Sequence, residues 1–248
     1  MGTGILTSVK SIDASGLDHI KINEAIRNSK GDIEIKACLG QRFIGAGLGE
    51  RRIRLEGVPG NALGAYLNGA TLEVLGNAQD AVGDTMNAGE IIVHGNIGDT
   101  AGYAMRGGSI YVRGNAGYRA GIHMKEYKEH VPVIVIGGRA GSFLGEYQAG
   151  GIIIVLGLNK DGRPAVSNFP CTGMHGGRLF LRKGCRIAEL PGQVNVHSAK
   201  DAEIAEISRY IKRYCDLFGA GYDDIVDPGF SVVVPNSANP YRQLYVAN

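Results

Sequence analysis

Residues 95–113 read GNIGDTAGYAMRGGSIYVR, a glycine-rich stretch that ends in a short β-branched run. Stretches of the same form surround it, because Gly57, Gly76, Gly95 and Gly114 follow one another at intervals of 19 residues. A fixed short period is the sequence signature of a repeat architecture, in which each unit forms one coil of a solenoid. The interval therefore predicts a coiled sheet.

Glycine recurs at three positions inside each unit. The second glycine follows the first by three residues and the third comes four residues later, with Gln79 replacing the second glycine in one unit. Glycine reaches positive φ without a Cβ clash and admits close approach of a neighbouring backbone, so we expect a structural role in turning and stacking the coils. The repeat glycines are Gly57, Gly60, Gly64, Gly76, Gly83, Gly95, Gly98, Gly102, Gly114, Gly117, Gly121, Gly138, Gly141 and Gly145. We expect Gln79 to alter the turn of its own coil only.

The apolar run that closes each unit predicts a strand. Ile91–Val93 and Ile152–Val155 are continuously apolar, which is typical of parallel strands covered on both faces. In the run that begins at Ser109, alternation predicts that Ile110 faces inward and Tyr111 outward. About five to seven coils, stacked about 4.8 Å apart, would share one interior. The predicted fold is all-β dominated: a single-stranded, right-handed parallel β-helix with coils of about 19 residues and capping helices.

The chain reads as one β-helix domain over residues 1–248. We expect an N-terminal cap region in 1–31, coils in 32–190, and a C-terminal helix and tail in 198–248. Helices are expected at the ends because an open solenoid exposes unpaired backbone groups there.

Two segments show helical patterns. Asp18–Ser29 is a candidate first cap, and a second helix is expected after Ser198–Asp201, which resembles a capping box, with Gly219 as the stop signal. The apolar positions are Leu17, Ile20 and Ile26 for the first helix, and Ile204, Ile207, Ile211, Tyr214 and Phe218 for the second. The second stripe is interpreted as a packing face.

One unit carries an insertion. The 24 residues from Gly114 to Gly137 contain the charged stretch Lys125–His130, which is either a solvated loop or a contact with a partner subunit, since insertions in repeats map to exposed faces. The tail Asp227–Tyr245 is rich in aromatic and turn residues and could dock on a neighbouring chain.

Composition narrows the class of protein. A formal net charge of +2 argues against binding to nucleic acid or a membrane surface. No apolar run approaches the length of a membrane span, and the sequence begins without the pattern of a signal peptide, so we expect a cytoplasmic protein. Its four cysteines, which are widely spaced and expected to stay reduced, are Cys38, Cys171, Cys185 and Cys215.

Candidate chemical sites are few. Gly45-Ala-Gly47-Leu-Gly49 superficially resembles a phosphate loop, but it precedes a strand-like segment instead of opening a helix. The histidines are scattered, so that His123, His130 and His175 could meet only through the tertiary fold. The outward strand positions offer a mixed column without an acid pair, Glu73, His94 and Arg113. We predict no catalytic, cofactor-binding or metal-binding residues in this chain.

Basic residues form two patches, which fit either solvated strand edges or docking to an acidic subunit. They are Arg51, Arg52 and Arg54, and then Arg178, Arg182, Lys183 and Arg186.

The Gly-x-x-Gly-x-x-x-Gly unit followed by a β-run, as in Gly57–Gly64, Gly95–Gly102, Gly114–Gly121 and Gly138–Gly145, resembles the repeat of the C-terminal β-helix domain of the glutamate synthase large subunit. The likeness spans about residues 20 to 190. The β-helix subunit of formylmethanofuran dehydrogenase is similar to the same repeat, so the resemblance identifies a domain type more narrowly than it identifies a complex.

The resemblance implies a stand-alone β-helix domain that assembles with separate amidotransferase and flavin-dependent synthase subunits. FMN and an iron–sulfur cluster are then expected in the partners and no cofactor in this chain, which has Gly2 where an amidotransferase needs cysteine. Within such a complex, ammonia from glutamine would react with 2-oxoglutarate to form glutamate. The domain would brace the catalytic subunits. It could also form homo-oligomers through its ends or its tail.

Two alternatives stay open. A formylmethanofuran dehydrogenase would place a molybdenum or tungsten subunit, not a flavin subunit, beside this chain. An independent enzyme would need a groove along the coil with clustered carboxylates or bases on one outward face.

Overall fold

A computed structural model describes residues 9–159, 161–187 and 189–236. The strands are β1 (Lys10–Asp13), β2 (Ile33–Leu39), β3 (Arg52–Val58), β4 (Asn68–Val74), β5 (Ala88–Val93), β6 (Ser109–Val112), β7 (Val133–Ile136), β8 (Ala149–Val155), β9 (Gly176–Arg182), β10 (Val194–Ser198) and β11 (Phe230–Pro235). The helices are α1 (His19–Arg27), α2 (Asp201–Phe218) and α3 (Tyr222–Val226). None of the described helices is long and apolar enough to cross a membrane.

The strands β1 to β9 lie side by side in chain order, each parallel to the next, which confirms the β-helix. The register follows the period where it is regular, since Arg52 pairs with Thr71, Thr71 with Glu90 and Glu90 with Ser109. The solenoid makes about eight turns, more than the five to seven predicted. Strand β1 pairs in parallel with β2 and extends the solenoid upstream of the region where the period is regular.

The interior is built from columns of apolar side chains, one residue from each coil. One column, whose members pair in register, is Ile33, Ile53, Leu72, Ile91, Ile110, Ile134, Ile153 and Leu179. Another is Ile12, Ile35, Leu55, Val74, Val93, Val112, Ile136, Val155 and Leu181. All are buried, which is the shared core that a lone coil could not supply.

Glycine serves two different needs in the repeat. The third glycines of the units, such as Gly83 and Gly102, have φ of 69° and 68° and turn the chain. The second glycines are needed because neighbouring coils are too close for a side chain. A Cβ on Gly141 would lie 2.6 Å from the carbonyl carbon and oxygen of Gly117 in the preceding coil. The expected change at Gln79 is wrong, since its side chain is exposed and Gly83 keeps the same φ as its equivalents.

Two side-chain ladders tie the coils together on the glycine-rich side. The Oδ1 atom of Asn77 accepts from the backbone N–H of Asn96 (2.8 Å), and that of Asn96 accepts from Asn115 N–H (2.7 Å). In the second ladder Asp80 accepts from the N–H of Asp99 at 2.9 Å. Sequence reasoning missed both ladders, although the 19-residue spacing of these residues was visible.

Positive φ is not confined to glycine. Two further positions of each coil have it, and the inter-coil backbone bonds hold them there, as the Thr100 N–H does by donating to the Tyr118 carbonyl (2.7 Å). The left-handed conformation costs roughly 1–2 kcal/mol for a residue with a Cβ, so the ladder must offset strain in every turn. The residues are Ala62, Ala81, Thr100, Arg119 and Phe143 at one position, and Tyr66, Thr85, Ala104, His123 and Tyr147 at the other.

Helix α2 lies along the outer face of the sheet and not across the end of the solenoid. It buries Ile207, Ile211 and Tyr214 in a second apolar cluster, which confirms that its stripe is a packing face. Tyr111 belongs to that cluster and not to the interior columns, which confirms that it points outward from the coil; it lies beneath α2 and is only 3% exposed.

Strands close the C-terminal end instead. β11 pairs antiparallel with β9, and β10 then pairs antiparallel with β11. The expected end-capping helix is therefore corrected to a two-stranded cap. Residues 237–248, the last part of the predicted docking tail, lie outside the described residues.

The predictions for the two helices need two corrections, one to a buried position and one to an N-cap. In α1, Ile20 is 56% exposed and Ile22 is buried in its place beside Ile26. In α2, the N-cap is Lys200, whose backbone N–H donates to Glu203 Oε2 (2.8 Å), whereas Ser198 belongs to β10. The stop at Gly219 is confirmed by its φ of 70°.

We predict that Gly141→Ala destabilises the fold, because its Cβ would meet only backbone atoms, which cannot move aside. The free energy of unfolding should fall by about 1–3 kcal/mol, as for overpacked cores. Gly192→Ala is the matched control, since a Cβ there meets nothing within 4 Å, and it should change stability by less than about 0.5 kcal/mol. Denaturant titration of both variants measures the difference, and equal stabilities would contradict the close approach of the coils.

We also predict measurable coupling between α2 and the solenoid through Glu90 and Arg213. Two parallel hydrogen bonds join the side chains, from Arg213 Nε to Glu90 Oε1 at 3.0 Å and from Arg213 Nη2 to Glu90 Oε2 at 2.6 Å. This bidentate geometry strengthens the ion pair, which is only partly exposed. A double-mutant cycle with Glu90→Gln and Arg213→Gln should give about 0.5–1 kcal/mol. The Lys36–Glu34 pair is similarly exposed but has a single described contact of 3.2 Å, and measured in the same way it should give less. A null coupling at Glu90 would mean that α2 is not held there.

Candidate functional site

The predicted outward column does not form as expected. The register pairs Glu73 with Ile92, so Glu73 and His94 are not equivalent positions on neighbouring coils. Glu73 instead reaches His94 diagonally, with 3.0 Å between Oε1 and Nε2, and Phe218 of α2 packs edge-on against the same imidazole. These groups bind one another at the end of α2, and the arrangement pairs one acid with one base.

The glycine-rich segment at 45–49 is a coil turn whose amides are in use. The Gly45 N–H donates to Asn23 Oδ1 (2.9 Å) and the Gly47 N–H to the Ala65 carbonyl (2.8 Å). A phosphate loop needs free N–H groups that converge on the ligand. In this segment the N–H groups of Gly45 and Gly47 already bind α1 and the next coil.

Several arginines of the two predicted basic patches already bind other parts of the protein. Arg51 donates to the Ile26 carbonyl (2.6 Å), which fastens α1 to the coils. In the second patch Arg178 forms an ion pair with Glu206 at 2.5 Å, and Arg182 donates to two backbone carbonyls beside α3. The charges left at the surface are Arg52, Arg54, Lys183 and Arg186.

The three histidines singled out from the sequence occupy separate environments. His123 stacks on Tyr147 with ring centroids 5.2 Å apart, and His175 Nδ1 lies 3.0 Å from the Gly173 carbonyl. His130 lies in the insertion. Across the described ranges no three His, Cys, Asp or Glu residues converge as metal ligands would.

The cysteine thiols are suppressed as nucleophiles. Burial raises the pKa of Cys38 to about 11 and that of Cys171 to about 12, so both remain protonated at neutral pH. Burial also raises the pKa of Cys185 and of Cys215. Since the thiolate is the reactive form, none of the four is poised for covalent catalysis.

Aromatic rings stack along one corner of the solenoid. Tyr118, Phe143 and Phe169 form a column with centroids 5.2 Å apart at each step. The guanidinium of Arg119 lies over the first two rings and binds Glu146 at 2.6 Å. Aromatic side chains and arginine are enriched where proteins bind one another.

The insertion forms a small ordered projection from one coil. Every residue of Lys125–His130 is exposed, and Tyr127 and His130 close it through two backbone hydrogen bonds of 3.1 and 3.0 Å. The Glu126 carboxylate accepts from the Gly151 N–H (2.8 Å), which ties the projection to the next coil. The expected bulge is confirmed, and its two interpretations, a solvated loop or a contact with a partner subunit, both stay predictions.

The described surface presents exposed aromatic and basic side chains. Its acids and bases are paired with each other or separately exposed, and its thiols are protonated. Three surface features are not explained by the packing of the coils: the aromatic corner, the projection at 125–130 and the basic residues that remain exposed.

A solved structure of similar fold is that of the formyltransferase/hydrolase complex of Methylorubrum extorquens with methylofuran, with a TM-score of 0.61 and 21% identity over 87% of this chain and 86% of the other. An uncharacterized protein of Methanocaldococcus jannaschii is 40% identical over 94% of this chain and 95% of its own length. The family model described as "GXGXG motif" matches residues 9–235. The chain belongs to the GXGXG motif family.

Proposed function

We propose that this protein is a non-catalytic scaffold subunit of a larger enzyme complex. The observation that carries the proposal is the continuous apolar interior, where columns of Ile, Leu and Val run through the coils from β1 to β9. A rod of this kind holds its outer faces in fixed relative positions. Bracing partner subunits is the task that such rigidity serves.

Two assemblies are candidates for the complex. The fold comparison supports a formylmethanofuran dehydrogenase-type assembly better, since the solved neighbour is part of a formyltransferase/hydrolase complex that binds methylofuran. In that case a molybdenum or tungsten subunit would accompany this chain.

The pattern of the glycine repeats supports the other assembly, of the glutamate synthase type. There the partners would be an amidotransferase and a synthase carrying FMN and an iron–sulfur cluster, and the product would be glutamate from 2-oxoglutarate. Both proposals place the complex in the cytoplasm, and in both the chain itself holds no cofactor.

Native purification through an affinity tag, followed by mass spectrometry, metal analysis and visible absorption, tests the proposal. A scaffold should bring down stoichiometric enzyme subunits, whereas the chain alone should show neither glutaminase nor formyl-transfer activity. Flavin absorption with an amidotransferase would identify the glutamate synthase type, and molybdenum or tungsten the other type. A chain that purifies alone at native abundance, or is active alone, would overturn the scaffold proposal.

A further inference from the structure

One corner of the solenoid carries a column of four residues whose side chains are hydrogen-bond donors. Asn68, Asn87, Arg106 and Lys125 are equivalent residues of four successive coils, since each donates its backbone N–H to the carbonyl of the residue before its counterpart in the preceding coil. The column gains positive charge along its length, from two amides to a guanidinium and an ammonium group. Neighbouring rungs stand about 4.8 Å apart.

The projection at 125–130 folds back beside this column. His130 packs directly over Gly107, where an added Cβ would lie 3.2 Å from the histidine Cβ, and Glu126 sits against Gly150, where an added Cβ would lie 2.5 Å from the Glu126 N atom. Two glycines thus seat the projection at its two ends. The projection therefore packs against the coils through the His130 side chain at one end and the Glu126 backbone at the other.

A groove lies between the projection and the column. Its volume is about 420 Å³, and Tyr66, Asn68, Asn87, Arg106, Tyr127 and His130 supply its polar lining. None of the described residues that line it carries a carboxylate. Tyr66 and Tyr127 are 59% and 54% exposed, so the hydroxyls and rings of the walls face outward.

Arg106 is the arginine that lines this groove, and it is not part of any described ion pair. Lys125 and Lys128 lie outside the lining; neither is in a described ion pair, and the Lys128 ammonium lies over the Tyr127 ring, 5.4 Å from its centroid. Glu126 of the projection accepts from a backbone N–H. An exposed guanidinium beside amide and hydroxyl donors favours carboxylates, which accept bidentate bonds from arginine.

We propose that this groove docks an acidic segment of the partner subunit, with Arg106 binding one of its carboxylates. The inference rests on the proposed function, because it names the chemistry by which the scaffold is gripped. Tyr66 and Tyr127 supply apolar contact on either side, and Lys125 with Lys128 attracts the segment from solution.

A labelled peptide of alternating Glu and Ser residues tests the groove on the isolated chain. Wild-type protein should bind it in a salt-sensitive manner, and Arg106→Glu should weaken binding about tenfold because attraction becomes repulsion. Arg42→Glu is the matched control, an equally exposed arginine on another corner, and should bind like wild type. Equal affinity of wild type and Arg106→Glu, or of the Glu-Ser and Gln-Ser peptides, would overturn the proposal.

Carbodiimide cross-linking of the purified native complex tests the docking itself, because this reagent joins lysine amines to carboxylates in contact. Lys125 or Lys128 should be joined to an Asp or Glu of the partner subunit. Cross-links from other lysines but not from these two would reject the groove and leave the scaffold proposal standing. If no complex can be purified, the scaffold proposal fails, and the peptide measurement still decides whether the groove binds carboxylates.

Discussion

Successive coils of this β-helix approach so closely that the glycine-rich side leaves no room for Cβ atoms. The space that a Cβ on Gly95 or Gly114 would fill is occupied by the Oδ1 atom of Asn77 or Asn96 from the coil before. Those same oxygens accept the backbone N–H that follows each glycine. Glycine and asparagine therefore act together, and they link the successive coils that follow β4, β5, β6 and β7. The apolar columns align only because this spacing is kept.

The sequence predicts the parts of the structure that this repeated spacing controls. The period, the strands and the apolar interior follow from spacing, because each coil repeats the same local interactions with its neighbour. The position of α2 does not follow. An amphipathic stripe shows that Ile207 and Ile211 must be buried but not against which surface, and only the fold shows that Tyr111 offers that surface. The same limit explains the misplaced cap, since β11 reaches β9 through contacts distant in sequence.

One interior residue breaks the apolar rule. Gln148 is fully buried, and its Nε2 donates to the carbonyls of Gly150 and Gly151 at 3.1 Å. Its Oε1 has no hydrogen-bond partner among the described residues, which costs roughly 1–3 kcal/mol. The two accepting glycines lie where Glu126 of the projection also binds, at the Gly151 N–H. Gln148 therefore stabilises this turn from the interior, and Glu126 of the projection binds the same turn from the outside.

The insertion shows where a solenoid can change without losing its core. Paired positions of β6 and β7, such as Ser109 and Val133, are 24 residues apart in the chain, where a regular coil has 19. Ile110 nevertheless pairs with Ile134, and Val112 with Ile136. Extra residues leave the ladder at a corner and return to it in register. Variation in such a fold is confined to its outer corners, because a change inside a strand would shift every column. A surface feature that departs from the repeat, and nevertheless packs against Gly107 and Gly150, is therefore where a specific role of this protein should be sought.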